Sequence, residues 1–168
     1  MIDMELLQPM PPWFSVLESE PRHAYEWAWK QAELGIESNL LRGAKMRSLE
    51  AMDNEFGAVM QFPDYFGENW GAFKDCLTDL AWMPAKAYVL VIVDADQVLV
   101  DTPESQFKIL YKTLTTVSQE WAEPISLGEW WDRPAIPFHV VMQVSSEKAS
   151  DFRSNLTNLR IEFDQAFV

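Results

Sequence analysis

The stretch AYVLVIV, residues 87–93, decides the fold class of this chain. It is an unbroken apolar run without the polar alternation that marks a strand with one face in water. Such a run, rich in Val and Ile, is typical of a parallel strand that helices bury on both faces. We therefore predict that residues 87–93 form a central strand of an α/β domain.

A helix and a second apolar run follow this stretch. Residues 137–144, PFHVVMQV, indicate another buried strand at the distance that a crossover connection requires. Between the two runs, Thr102 and Pro103 make a good helix start, and an apolar stripe continues until Pro124 stops it. Strands that alternate with helices predict a small three-layer α/β domain, with a short parallel sheet flanked by helices.

The segment before the central strand adds two helices and a weaker strand. A short helix is predicted between Pro21 and Gly35, because proline is tolerated at the first helical residue and glycine commonly ends a helix. Residues 40–46 are a weak strand candidate. Ser48 is a plausible N-cap for a helix over residues 48–60.

The two ends are interpreted as additions to one core, since no repeat or Gly/Ser linker divides residues 1–168 into separate domains. Residues 1–17 are punctuated by prolines, and we expect an extended arm that packs its aromatic side chains onto the body. Residues 145–168 include Phe167 among many apolar side chains, which favours a docked helix or strand over a free tail.

A proline-rich loop before residues 137–144 holds two adjacent tryptophans, Trp130 and Trp131. Aromatic side chains in such a loop either fold back onto the core or contact a partner. Packing onto the core is the favoured interpretation, because large aromatic side chains are highly buried on average.

The charge of the chain limits its partners. A formal net charge of −13 repels nucleic acid and anionic lipid, whereas it attracts a basic protein. Acidity that merely supports solubility is the alternative.

No apolar run approaches the length of a membrane span. The first residues carry Asp3 and Glu5 but no basic residue, and the single cysteine, Cys76, cannot form an internal disulfide, so we expect a cytoplasmic protein.

The segment FPDYFGENWGAFKDCLTDLAW, residues 62–82, predicts a third helix over residues 69–82. The apolar side chains on its inner face are Trp70, Phe73, Leu77, Leu80 and Ala81. The outer face carries Gly71, Asp75, Thr78 and Trp82, flanked by Lys74 and Asp79. Because the inner face accounts for folding, recognition must come from the outer face. An exposed Trp82 beside a carboxylate is typical of an interface anchor. The alternative interpretation is that Asp75 is simply a solvated helix residue and that Trp82 folds under the following loop.

This segment resembles the signature of the barstar family of ribonuclease inhibitors, in which an aromatic-Gly turn leads into an inhibitory helix. The positions that carry the resemblance are Pro63, Tyr65, Phe66, Gly67, Asn69, Phe73, Asp75, Cys76 and Leu77. The resemblance extends over residues 40–144 and implies the family's small parallel sheet. Residues 1–39 and 145–168 are N- and C-terminal extensions to which we assign no family counterpart.

The resemblance implies inhibition by substrate mimicry and no cofactor. A helix carboxylate takes the place of a substrate phosphate in a basic ribonuclease, or in a related nuclease toxin for which this chain is the immunity protein. Asp75 matches the family's principal acidic contact, and Thr78 matches a further position on the same face. Tyr65 matches an aromatic that packs against the nuclease, with a core aromatic as the alternative. Gly67 matches a turn glycine near the partner, with a need for positive φ as the alternative.

Two positions depart from the family pattern. Gly71 stands where members commonly carry a second acid, and Lys74 stands where they commonly carry an aromatic residue. Both changes make the recognition face less negative. We therefore expect a partner that differs from the family's usual nuclease, with an acidic patch opposite Lys74, or a chain that has drifted from inhibition.

Catalysis is the rival class of function. His23 and His139 are the only imidazole bases, and Cys76 has no evident base beside it. Asp94 and Asp96 follow the central strand, where α/β enzymes place metal-binding acids, and together could hold Mg²⁺. Because no phosphate-binding loop or third acid accompanies them, we predict a protein-binding domain and not an enzyme. A general interaction module that presents its tryptophans is a third possibility.

Overall fold

The structure, a computed structural model, describes residues 6–166. Asp3, Glu5 and Phe167 lie outside the described residues. The strands are β1 (Phe14–Glu18), β2 (Glu37–Arg42), β3 (Tyr88–Val93), β4 (Phe138–Val144) and β5 (Asp164–Ala166). The helices are α1 (Pro21–Glu33), α2 (Leu49–Val59), α3 (Trp70–Asp79), α4 (Glu104–Ala122) and α5 (Ser146–Asn158).

The strands form one five-stranded sheet in the order β2-β3-β4-β1-β5, and every pairing in it is parallel. β3 and β4 are neighbours inside the sheet, where Leu90 lies opposite Val140. Every residue of these two strands is buried. The two predicted stretches therefore form parallel strands covered on both faces, which confirms the predicted fold class.

Helices cover the sheet on both sides and give three layers. Leu90 and Ile92 point into a core that contains side chains of α2, α3, α4 and α5. The alternate residues Val89 and Val91 point to the other face, where they pack with Trp27 of α1. α3 therefore belongs to the face that carries most of the helices.

Segments near both ends of the described residues belong to the sheet. Phe14–Glu18 is β1, which lies between β4 and β5, so the prediction of an extended arm for residues 1–17 is wrong in part. Its aromatic side chains are buried as expected, because Phe14 is 1% exposed and Trp13 8% exposed. The segment after β4 forms both a docked helix, α5, and a strand, β5, where the sequence left helix or strand open.

Side-chain hydrogen bonds hold the helix before the candidate site at its start and within its length. Ser48 caps α2 as predicted, because its Oγ accepts a hydrogen bond of 3.2 Å from the Ala51 backbone N–H. Further along, the buried carboxylate of Glu55 accepts hydrogen bonds of 2.8 Å from Nε and Nη2 of Arg42 in β2. These bonds lower the pKa of the Glu55 carboxyl.

Within the part of the chain that the structure describes, no helix is long and apolar enough to cross a membrane.

Candidate functional site

Asn69 starts α3 and ties it to the preceding turn. Its Oδ1 accepts a hydrogen bond of 2.9 Å from the Ala72 backbone N–H, and its Nδ2 donates one of 3.1 Å to the Gly67 carbonyl. At the other end, Leu80 adopts a left-handed conformation with φ of 44°. The helix therefore ends at Asp79, and the predicted continuation to Trp82 is wrong.

Trp82 lies beyond the helix and does not share its outer face. The left-handed turn at Leu80 redirects the chain, and the half-buried indole of Trp82 packs against the core. Its Nε1 donates a hydrogen bond of 2.9 Å to the Met60 carbonyl after α2. Placing Trp82 in line with Asp75 was therefore wrong, because an α-helical projection does not hold past the end of the helix.

The inner face of α3 forms the support of the site. Phe73, Leu77 and Leu80 are buried as predicted, whereas Ala81 is exposed beyond the end of the helix. Phe73 contacts Phe62, whose ring stands edge-on to that of Phe66 with centroids 4.9 Å apart in the preceding turn. The aromatic packing holds the turn and the helix together as one unit.

Three of the predicted contact residues meet on the exposed side of this unit. Tyr65, Asp75 and Asp79 line one shallow depression of about 260 Å³. Tyr65 is 69% exposed, which rules out the alternative that it is a core aromatic. Partial desolvation of its hydroxyl and then the charge of Asp79 raise the pKa of Tyr65. The depression is therefore acidic, with an aromatic ring at its edge.

The two carboxylates of this depression have no intramolecular partner among the described residues. Within residues 6–166, no hydrogen bond or ion pair involves the Asp75 or Asp79 carboxylate. A carboxylate that is exposed and unpaired is available to arginine or lysine of a second molecule. The site can therefore bind cations, and its ring can pack against a partner.

Comparison with known protein families gives a match, which covers the segment that contains α3 and its turn. The family model described as Barstar (barnase inhibitor) matches residues 37–143, which is more than half of the chain. The chain belongs to the barstar family. No curated protein was found to match it. The match includes α3 and its turn and begins with β2, whereas α1 and α5 lie outside it.

The two glycines of the barstar segment leave space for the cap of α3. Gly67 does not need a positive φ, because the left-handed residue in this turn is Glu68 with φ of 47°. A Cβ at Gly67 would lie 3.2 Å from Nδ2 of Asn69, and one at Gly71 would lie 3.3 Å from its Oδ1. The exposed backbone at both glycines is therefore open to close approach by a partner.

The other two residues of the predicted face are engaged within the barstar domain. The Thr78 hydroxyl donates a hydrogen bond of 3.0 Å to the Lys74 carbonyl, along its own helix. Lys74 Nζ forms an ion pair of 2.7 Å with Glu120 on α4. The positive charge of Lys74 is thus paired with a carboxylate of the same chain, and the acidic patch expected on a partner stays a prediction. Glu120 is far away in sequence, so no local pattern could have shown this pair.

An acid that the sequence did not single out lies beside the turn. Asp53 is half-buried on α2, and burial followed by the charge of Glu68 raises the pKa of its carboxyl to about 6. The folded state therefore holds this proton more tightly than the unfolded state does. As a result, the free energy of unfolding falls as pH rises from about 4 to about 7.

Asp53→Asn is expected to stabilise the protein at pH 7 by about 1 kcal/mol, after a discount for screening by water. The gain should vanish toward pH 4, where Asp53 of the original protein is protonated when folded. Urea unfolding at both pH values checks this, with Asp151→Asn, an exposed position on α5, as the control. An Asp53→Asn protein that is less stable at pH 7 would contradict the assigned pKa.

The residues weighed for catalysis are dispersed. His139 is buried in β4, where its Nε2 lies 2.8 Å from the Gln8 carbonyl, and Cys76 is buried with a pKa raised mainly by desolvation. Asp94 and Asp96 do lie together after β3, and burial followed by Asp96 raises the pKa of Asp94. In the described range, no group of three His, Cys, Asp or Glu residues could hold a metal ion.

The tryptophan loop, residues 123–137 between α4 and β4, does not pack its two tryptophans in the predicted way. Trp130 is 89% exposed and Trp131 47% exposed, so packing of this pair onto the core is wrong. The loop closes on itself by hydrogen bonds and never brings the two indoles back to the core. This leaves an exposed aromatic pair outside the depression beside α3.

Proposed function

We propose that this protein inhibits a basic ribonuclease, or a related nuclease toxin as its immunity protein, by covering the active site with α3. The observation that carries the proposal is the exposed acidic depression of Tyr65, Asp75 and Asp79 within the segment that matches a family of barnase inhibitors. Asp75 takes the place of a substrate phosphate among the cationic groups of the nuclease. The protein acts by binding and performs no catalysis, and we assign it to the cytoplasm.

The charge around α3 suits such a partner. Asp64 and Glu68 in the turn add to Asp75 and Asp79, and the ion pair with Glu120 balances Lys74. The net charge of −13 gives the whole molecule the same sign. A basic protein is therefore attracted before contact, whereas nucleic acid is repelled.

A non-inhibitory interaction module is the second candidate, and the exposure of Trp130 is the observation that favours it. The two candidates differ in what the bound partner can still do. The test is cleavage of a fluorescent RNA by barnase and by a panel of small basic ribonucleases, with and without an equimolar amount of this protein. We expect stoichiometric inhibition of at least one enzyme. Binding without loss of cleavage would favour the interaction module. If the protein neither binds nor inhibits any enzyme of the panel, the proposal is refuted.

Association with the inhibited ribonuclease is expected to slow by about tenfold or more between about 0.05 M and about 0.5 M salt. Salt screens the attraction that steers an acidic protein toward a basic one. The dissociation rate should change much less, because the closest contacts are desolvated. Stopped-flow association at several salt concentrations measures the effect. An association rate that is indifferent to salt would contradict electrostatic steering.

A further inference from the structure

The loop between α4 and β4 exposes a cluster of large apolar side chains. Leu127 is 72% exposed, Trp130 89% and Trp131 47%. The rings of Trp130 and Trp131 stand edge-on, with centroids 5.4 Å apart. Single apolar residues on a surface are ordinary, but a group of this size in one loop is typical of an interaction site.

This tryptophan loop is held in one conformation by its own hydrogen bonds. The Asp132 carboxylate accepts bonds of 3.0 Å and 2.8 Å from the backbone N–H groups of Leu127 and Gly128. Ile125 and Arg133 pair as an antiparallel bridge at the base. Because the loop is already ordered, Trp130 can be buried against a partner at little further loss of conformational entropy.

The base of the loop rests on the helices of the candidate site. The Arg133 guanidinium lies 4.3 Å from the centre of the Trp121 ring, and Nε1 of Trp121 donates a hydrogen bond of 2.8 Å to the Leu77 carbonyl in α3. Arg133 Nη2 also donates 3.1 Å to the Glu120 carbonyl, and the side chain of Glu120 holds Lys74. The tryptophan loop is therefore built onto the seam between α3 and α4.

The charges beside the exposed aromatics have the same sign as those of α3. Glu123, Glu129 and Asp132 are the acids of residues 123–137, and Arg133 is the sole basic residue of that segment. Arg133 is turned inward, because its Nη1 donates to the carbonyls of Trp121, Glu123 and Pro134. An apolar centre with an acidic rim suits the surface next to the active site of a basic enzyme.

We infer that the tryptophan loop is a second contact for the ribonuclease whose active site α3 covers, with Trp130 as an apolar anchor in a recess beside that site. The inference rests on the proposed function and specifies how the same partner is held. Tryptophan is among the residues most enriched at the energetic centres of interfaces. The charges of α3 attract and orient the ribonuclease, and burial of the apolar side chains of the loop slows its dissociation.

The test uses the full chain and any enzyme of the ribonuclease panel, barnase included, that it inhibits. Trp130→Ala is expected to weaken binding by about thirtyfold, mainly through faster dissociation, with little change in the association rate. Trp29→Ala is the matched control, since Trp29 is 66% exposed on α1, which covers the other face of the sheet. The control should change affinity by less than about twofold. Hydroxyl-radical footprinting should show that Trp130, but not Trp29, is protected in the complex.

The outcomes separate this inference from the proposal on which it rests. If Asp75→Ala loses inhibition while Trp130→Ala binds as tightly as the original and Trp130 stays reactive, the inference is overturned and the proposed function stands. If no ribonuclease is inhibited, both are overturned. If sedimentation shows a dimer that Trp130→Ala converts to monomer, the loop contacts a second copy of this chain, and the inference is also overturned.

Discussion

Asp75→Ala is expected to weaken inhibition of the target ribonuclease by at least about a hundredfold, or about 3 kcal/mol. The Asp75 carboxylate is exposed on α3 and makes no hydrogen bond or ion pair within residues 6–166. In the complex it would lie desolvated among cationic side chains of the nuclease. Its removal leaves those charges buried without a partner, which is why the loss exceeds that of an exposed ion pair.

Inhibition constants from the RNA-cleavage assay measure this effect. Asp75→Asn keeps the shape and removes the charge, so it should lose nearly as much as Asp75→Ala. Asp151→Ala removes an exposed carboxylate from α5 with the same change in net charge, and it should leave inhibition within about threefold. Because both positions are exposed, urea midpoints should stay close to that of the original protein. Retained inhibition by Asp75→Ala would show that another group replaces the substrate phosphate.

The central strands could be predicted because their signal is local. An apolar run without alternation, such as residues 87–93, has few structures open to it other than a strand covered on both faces. β1 and β5 gave no such signal. β1 is five residues long and β5 three, and each becomes a strand by pairing in parallel with distant parts of the chain, such as Val16 with Met142. Tertiary pairing, and not local propensity, determines these ends.

The start of α3 was predicted correctly from the sequence, and its end was not. Asn69, where the sequence predicts that the helix begins, is its N-cap, because the side chain accepts a hydrogen bond from the Ala72 N–H of the first turn. The end of the helix depends on Leu80, which adopts a left-handed conformation. Glycine or asparagine usually adopts this conformation at the end of a helix. Leu80 is 1% exposed, so burial of its side chain stabilises a turn that its backbone preference would not select. This is also why the projection to Trp82 failed.

The electrostatics of the site needed the tertiary structure for a different reason. A sequence reveals that Lys74 is positive, but not that Glu120 lies 2.7 Å away on another helix. Similarly, the raised pKa of Asp53 follows from burial and from the charge of Glu68 across the turn. Family resemblance locates the helix and its acid, whereas the net charge of its surface depends on packing between helices.

Gly43→Ala is expected to lower the free energy of unfolding by about 3 kcal/mol, because an added Cβ meets backbone with no space to yield. Gly43 is buried in the 3₁₀ turn that follows β2. A Cβ at this position would lie 2.2 Å from the Asp94 carbonyl oxygen and 2.7 Å from that of Val93. Neither oxygen can rotate away as a side chain would, so β2 and the end of β3 must separate. Thermal unfolding should show a fall in Tm of about 6–12 °C.

Gly57→Ala provides the matched control, because the same chemical change falls there on open space. Gly57 lies within α2, and a Cβ at this position meets no atom within 4 Å. Alanine is the better helix former, so the free energy of unfolding should rise by about 0.5–1 kcal/mol. Opposite signs from one substitution at two glycines would isolate the contact with Asp94 as the cause. If Gly43→Ala is as stable as Gly57→Ala, the close approach of β2 to the end of β3 is wrong, because a Cβ could not be accommodated there otherwise.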